Sequence, residues 1–113
     1  ADPIWEEGMT ALLEALIAYV FYEEEPEQRN MNSVMTLLMM LDAGNSSPNS
    51  VSQLDLIFED LSIRKPESFA AKQYKLYKMA PGKTAESINV SLGLRMSAFN
   101  ILTQQQPITF WLL

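Results

Sequence analysis

The chain has 113 residues, a formal net charge of −6, 48% hydrophobic and 19% charged residues, and neither cysteine nor histidine. That length and balance suit one folded domain around one core rather than a disordered segment. Without Cys and His, disulfides, Cys/His metal sites and thiol or imidazole catalysis are excluded.

Glycine is scarce (4) and methionine plentiful (7), which favours helices over strands. The first helix opens at Asp2-Pro3, a capping side chain followed by a proline in the first turn. Trp5, Met9, Leu12, Leu16 and Val20 follow helical spacing, and Leu13, Ile17 and Phe21 widen the stripe until the helix is apolar nearly all round. Such a helix belongs at the centre of a bundle. The apolar run from Met9 to Tyr22 carries Glu14 and falls short of the roughly 20 residues a membrane span needs, so no membrane insertion is expected.

"EEEPEQRN" breaks the chain at Pro26, and Asn30 or Asn32 can cap a second helix, "NSVMTLLMMLDA", ended by Ala43-Gly44. Val34, Leu37, Leu38 and Leu41 should point inward, and the nearby methionines are read as packing rather than as an adaptable contact surface. "GNSSPNS" has the chemistry of a turn. A third helix covers about 52–63, with Leu54, Ile57, Phe58 and Leu61 on one face. After "RKPES", a fourth covers about 67–79 and places Phe69, Ala70, Tyr74 and Tyr77 at helical spacing. The fifth, about 81–100, carries the stripe Ile88, Leu92, Met96 and Phe99, with Ala85 extending it. The expected fold is all-α, a compact bundle of about five helices with short connections. Residues 101–113, "ILTQQQPITFWLL", are an atypical tail: a strand, a docked segment or a piece foreign to the domain.

Charge divides along the chain. Residues 1–60 hold twelve acidic side chains and one basic, whereas 61–113 hold two acidic and seven basic. We expect complementary faces that meet inside the bundle rather than one large binding field. No basic start followed by an apolar stretch and a cleavage site is visible. The opening "ADPIW" lacks Met and suggests a piece of a longer protein.

Gly82-Lys83-Thr84 has the ending of a phosphate-binding loop. That loop needs a glycine five residues earlier, so that successive N–H groups can face the phosphates, and it must follow a strand. Tyr77 occupies the glycine's place and a helical pattern precedes it. The segment is therefore read as a helix start at Pro81. Glu23, Glu24, Glu25 and Glu27 lack the order of a calcium loop and the burial an acid catalyst requires. No serine–lysine pair is singled out by spacing, and the sequons at Asn45 and Asn89 carry little weight without a secretion signal. No catalytic group, cofactor or metal ligand is assigned. Lys72, Lys75 and Lys78 recur every three residues, Lys83 follows, Arg64 and Lys65 precede, and Tyr74 and Tyr77 interleave. Cations along a helix can neutralise phosphates, and exposed tyrosines can stack on bases. The alternative is a solvated face whose tyrosines point to the core and whose lysines meet the acidic first half.

Three segments, "DPIWEEGMTALLEALIAYV", "EEPEQRNMNSVMTLL" and "APGKTAESINVSLGLRMSAF", together resemble the all-alpha domain of type IV secretion coupling proteins, the membrane-anchored ATPases of bacterial conjugation. Pro3, Trp5, Leu12, Leu13, Ala15, Leu16, Ile17, Tyr19 and Val20 carry the first segment. Arg29, Asn30 and Val34 carry the second, and Ala80, Pro81, Lys83, Thr84 and Ser87 the third. The resemblance spans roughly residues 2–100; the tail departs from the family's return to its ATPase domain. It implies a substrate-recognition domain over 1–100, inserted in a separate nucleotide-binding domain and facing the cytoplasm. The implied partners are a relaxase or a relaxosome accessory protein, the parent ATPase domain and single-stranded DNA. The expected role is non-catalytic docking. The alternatives are direct single-stranded DNA binding through Lys72, Lys75, Lys78 and Lys83, or a structural module that assembles ATPase subunits.

Overall fold

A computed structural model describes residues 3–41 and 51–103, of which 99–103 as backbone alone. Five helices follow in order: α1 (Pro3–Glu23), α2 (Met31–Met39), α3 (Gln53–Arg64), α4 (Phe69–Tyr77) and α5 (Gly82–Thr103), with a short 3₁₀ turn, Pro26–Gln28, between the first two. No strand occurs among the described residues. The fold is the expected all-α bundle.

Helix α1 is central. It packs most extensively against α4 and also meets α2 and α5. Its small residues allow this: Gly8, Ala11, Ala15 and Ala18 are all buried beside Leu12, Leu16 and Val20. At Gly8 the approach is so close that an added Cβ would lie 2.8 Å from Ile88 Cδ1 of α5. The nearly all-round apolar character read from the sequence is thus used on three sides, and Glu6, Glu7, Thr10 and Glu14 face solvent on the remaining one.

Local sequence sets the helix ends. The Asn30 side chain accepts from the Ser33 N–H, which fixes it, rather than Asn32, as the cap of α2. Ser52 and Asp55 form a reciprocal capping box at α3: the Ser52 hydroxyl accepts from the Asp55 N–H at 3.0 Å and the Asp55 carboxylate accepts from the Ser52 N–H at 3.1 Å. Ser68 caps α4, so this helix starts later than expected and Glu67 stands outside it. At α5, Pro81 stands one residue before the first helical position, and its carbonyl accepts the first helical bond from the Ala85 N–H at 2.8 Å. The expected cap at Asp2, the end of α2 at Ala43-Gly44, the turn at 44–50, the Asn45 sequon and the tail from 104 onward lie outside the described residues, as does the Phe99 side chain.

The core joins α1, α2, α3 and α5 through Leu12, Leu16, Val34, Leu54, Leu61 and Ile88, none of them measurably exposed, and α4 adds the buried Ala70, Tyr74 and Tyr77. A run of rings crosses it. Tyr19 meets Phe58 at 5.4 Å, Phe58 stacks on Tyr74 at 4.2 Å and nearly parallel, and Tyr74 meets Tyr77 at 5.5 Å. One stacked and two tilted pairs result, and aromatic pairs add about 0.5–1.5 kcal/mol each beyond the area they bury. Burying tyrosines obliges their hydroxyls to find partners. Tyr77 donates to Asn89 of α5 at 2.6 Å and Tyr74 donates to Asp55. Phe69 departs from the expected inward stripe of α4 and is 52% exposed. It is the first residue of the helix, directly after the Ser68 cap.

Candidate functional site

The four candidate lysines are all exposed, but they are not one free cationic row. Lys72 Nζ lies 2.9 Å from the Glu67 carboxylate, and Lys78 Nζ lies 3.1 Å from Asp55. Lys75 and Lys83 form no ion pair among the described residues. Lys83 stands in the first turn of α5, where the helix dipole disfavours a cation but an anion would be welcome. Tyr74 and Tyr77, the interleaved aromatics, are buried and engaged, so they offer no ring to a nucleobase. The basic pair before α4 is likewise committed: Arg64 and Lys65 approach the Glu23 carboxylate at 3.5 and 2.8 Å, and Arg64 also reaches Asp60 at 2.7 Å. The basic second half of the chain therefore spends much of its charge on the acidic first half.

Asp55 is the hub of this side. Burial alone would raise its pKa, but the Tyr74 hydroxyl, the Ser52 N–H and the Lys78 ammonium outweigh that and hold the carboxyl below its ordinary 3.8. Burial and then Asp55 itself push the Tyr74 hydroxyl far above the ordinary tyrosine range. The Ser52-x-x-Asp55 spacing is a capping-box pattern readable in the sequence; its link to Tyr74 needs the fold. At the Gly82-Lys83-Thr84 segment, the chain passes from α4 through a short turn into α5 with no strand before it. Nothing there forms the curled backbone of a phosphate loop.

A different surface stands out on α1 and α4. The two helices run antiparallel, and a cleft of about 200 Å³ opens between Ile4, Glu7 and Gly8 on one side and Leu76, Met79 and Ala80 on the other. A shallower extension of about 410 Å³ continues past Thr10 and Glu14 to Gln73. Both parts share Glu7 and Leu76, so they form one groove. Ile4, Leu76 and Met79 are 54%, 47% and 76% exposed. Glu6, Glu7 and Glu14 line the α1 side; among the described residues none of the three forms an ion pair, and Glu14 accepts only from the Gln73 amide at 2.9 Å. The sequence reading missed this groove because it grouped Phe69 with Ala70, Tyr74 and Tyr77 in one stripe and gave Leu76 and Met79 no place on the helix. Leu76 and Met79, left out of the predicted stripe, were the available signal.

Among the described residues no group of three carboxylates is placed to hold a metal ion, and no helix is long and apolar enough to cross a membrane. Compared with protein-family models, curated proteins and solved structures, the chain matches none.

Proposed function

We propose that the chain is a non-catalytic docking domain of a conjugative type IV secretion coupling protein, working at the cytoplasmic face of the membrane. Its partner is a relaxase or a relaxosome accessory protein. The three segments that carry the family resemblance support this reading. They fall on α1, on the turn leading into α2, and on α5, and Trp5 of the first segment donates to Ser87 of the third at 3.1 Å. The observation that carries the docking role is the groove between α1 and α4. Exposed aliphatic side chains beside a concave surface fit a protein partner better than a phosphate backbone.

Direct single-stranded DNA contact is the second reading, favoured by Lys75 and Lys83, which form no ion pair among the described residues. Two lysines give a small counterion-release term. The test is a pair of titrations: immobilised relaxase, and labelled single-stranded DNA at low and physiological salt. Docking predicts saturable relaxase binding that changes little with salt. DNA binding that collapses with salt and is lost in a Lys75→Ala/Lys83→Ala variant, with no relaxase bound, would replace docking by the nucleic-acid reading. Binding to neither would leave an assembly role for the module within the ATPase.

A further inference from the structure

We infer that the α1–α4 groove accepts a basic amphipathic helix from a protein partner. The inference rests on the docking role above and names the surface and the chemistry of what it takes. Two features of the groove specify the occupant. Its floor and the rim opposite α1 are apolar: Leu76 of α4 is followed by Met79 and the half-buried Ala80 in the turn after that helix, and Ile4 faces them from α1. Phe69 stands two turns before Leu76 on the same side of α4, but Lys72 and Gln73 occupy the turn between them, so the apolar part of the groove ends at Leu76. Its α1 rim is acidic. Glu7 and Glu14 are separated by two turns and so project from one side of α1, and Glu6 stands beside them.

Glu23, Asp55, Asp60 and Glu67 all have cations from the chain itself. The carboxylates beside the groove have none among the described residues. Glu24, Glu25, Glu27, Glu59 and Glu86 also form no ion pair among the described residues, so what makes this rim informative is that its carboxylates stand beside exposed aliphatic groups in one concavity. A ligand with an apolar stripe and Lys or Arg on one flank would bury Ile4, Leu76 and Met79 while pairing with Glu7 and Glu14. A helix supplies that arrangement at i, i+3/i+4 and i+7. An extended strand fits less well, because no sheet edge is present among the described residues to hold its backbone. Nucleic acid is repelled by the same carboxylates.

The test uses the whole chain and a fluorescein-labelled synthetic peptide of about 15 residues, enough for four helical turns. It carries leucines at helical spacing and lysines along one flank. One control replaces its lysines by glutamates; another keeps the composition and scatters the leucines. We expect saturable binding of the lysine peptide, with both controls weaker by about tenfold or more. The scattered control separates groove binding from simple attraction to an acidic protein. Leu76→Asp should abolish binding. Because that change touches a helix, Met79→Ser and the double charge reversal Glu7→Lys/Glu14→Lys serve as independent variants, each checked for an unchanged circular dichroism spectrum. The double reversal should lose the lysine peptide and gain the glutamate one.

No saturable binding, equal binding of the scattered or glutamate control, or binding that survives all three variants would overturn the inference. Self-association of the chain that Leu76→Asp removes, without peptide binding, would give the groove to a second copy and overturn it too. Failure here is distinguishable from failure of the docking role. Relaxase bound equally by the wild type and Leu76→Asp leaves docking standing and moves it off the groove. Peptide bound in the groove with no relaxase bound leaves the groove and removes the relaxase.

Discussion

The α3–α4 side of the bundle and the α1–α4 groove treat the same kinds of side chain in opposite ways. On the first, Asp55 collects a hydroxyl, a backbone N–H and an ammonium, and Glu23 collects a guanidinium and an ammonium. On the second, Glu7 and Glu14 have no cation among the described residues and stand beside Leu76 and Met79, which stay out in solvent. One helix supplies both. Tyr74 and Lys78 of the α4 region turn toward α3, and Leu76 and Met79 turn away from it. The difference separates surface used to hold the fold from surface left over. Single exposed apolar residues are ordinary on a folded protein, but several lining one concavity mark contact with something else.

The largest way to break this contrast is at Tyr74. Tyr74→Ala removes a buried ring stacked on Phe58, and should cost about 3–5 kcal/mol, the range for aromatic truncation in a core. Leu76→Ala, two residues on, should cost under about 1 kcal/mol, since half its surface is already in water. Urea denaturation followed by circular dichroism measures both. Equal losses would mean that α4 does not have one structural and one spare flank.

Asp55 sharpens the same contrast through pH. Its folded pKa lies below its unfolded value of about 3.8. The stabilisation is therefore complete above that value and is lost as pH falls through the folded pKa. At the alkaline end Tyr74, raised above its ordinary 10.0, is ionised more readily in the unfolded chain, so stability is full below pH 10 and falls above it. Asp55→Asn should flatten the acid limb and lower stability at neutral pH by about 0.5–2 kcal/mol, the cost of a weakened helix cap. Tyr74→Phe should flatten the alkaline limb, leaving the smaller contribution of Tyr19, also raised by burial and by its acidic neighbours. Denaturation midpoints measured across pH test both, and an unchanged acid limb in Asp55→Asn would deny Asp55 this role.

The helices were legible because each carries its own punctuation: Pro26, Asn30, Ser52-x-x-Asp55, Pro66 and Pro81 are local signals that need no tertiary context. The core was legible where helices have a clear stripe, as with Leu54, Phe58 and Leu61. Helix α4 was harder to phase. It has nine residues, with Phe69 and Leu76 on one flank and Ala70, Tyr74 and Tyr77 on another, and both sets follow helical spacing. Alanines do not outweigh a phenylalanine in a pattern, yet here Ala70 and Ala71 pack inside while Phe69 does not. Small residues are chosen by close approach, which only the neighbouring helix dictates. The charge division was legible as complementary faces, and the pairs Glu23 with Arg64 and Lys65 join the two halves of the chain. Which acids were left without a cation was not readable, because it depends on which cations the fold brings near.

A smaller effect separates the paired from the unpaired acids. Glu23 is the last residue of α1, where the helix dipole disfavours a carboxylate, so its two cations offset that placement as well as its burial. Glu23→Gln should lower the urea midpoint modestly, and the loss should shrink with added salt, since its partners are exposed and screened. Glu14→Gln should move stability by less than about 0.5 kcal/mol at any salt concentration. A comparable, salt-sensitive loss at both positions would show that Glu14 has an electrostatic partner that the groove argument leaves out.

The smallest expected change is at Met79, and it bears most directly on the groove. Met79 follows the end of α4 and is 76% exposed, so it contributes little buried area and no hydrogen-bonding side chain. Its backbone N–H reaches the Leu76 carbonyl at 3.2 Å whatever the side chain is. Met79→Ser should therefore leave the urea midpoint within about 0.5 kcal/mol of wild type. The same substitution removes the most exposed aliphatic group of the groove, and with it part of the area a partner helix would cover. Unchanged stability together with weakened peptide binding places the residue's use outside the fold. If stability falls by more than about 1 kcal/mol, Met79 is part of the core's support, and the α4 flank is less spare than its exposure indicates.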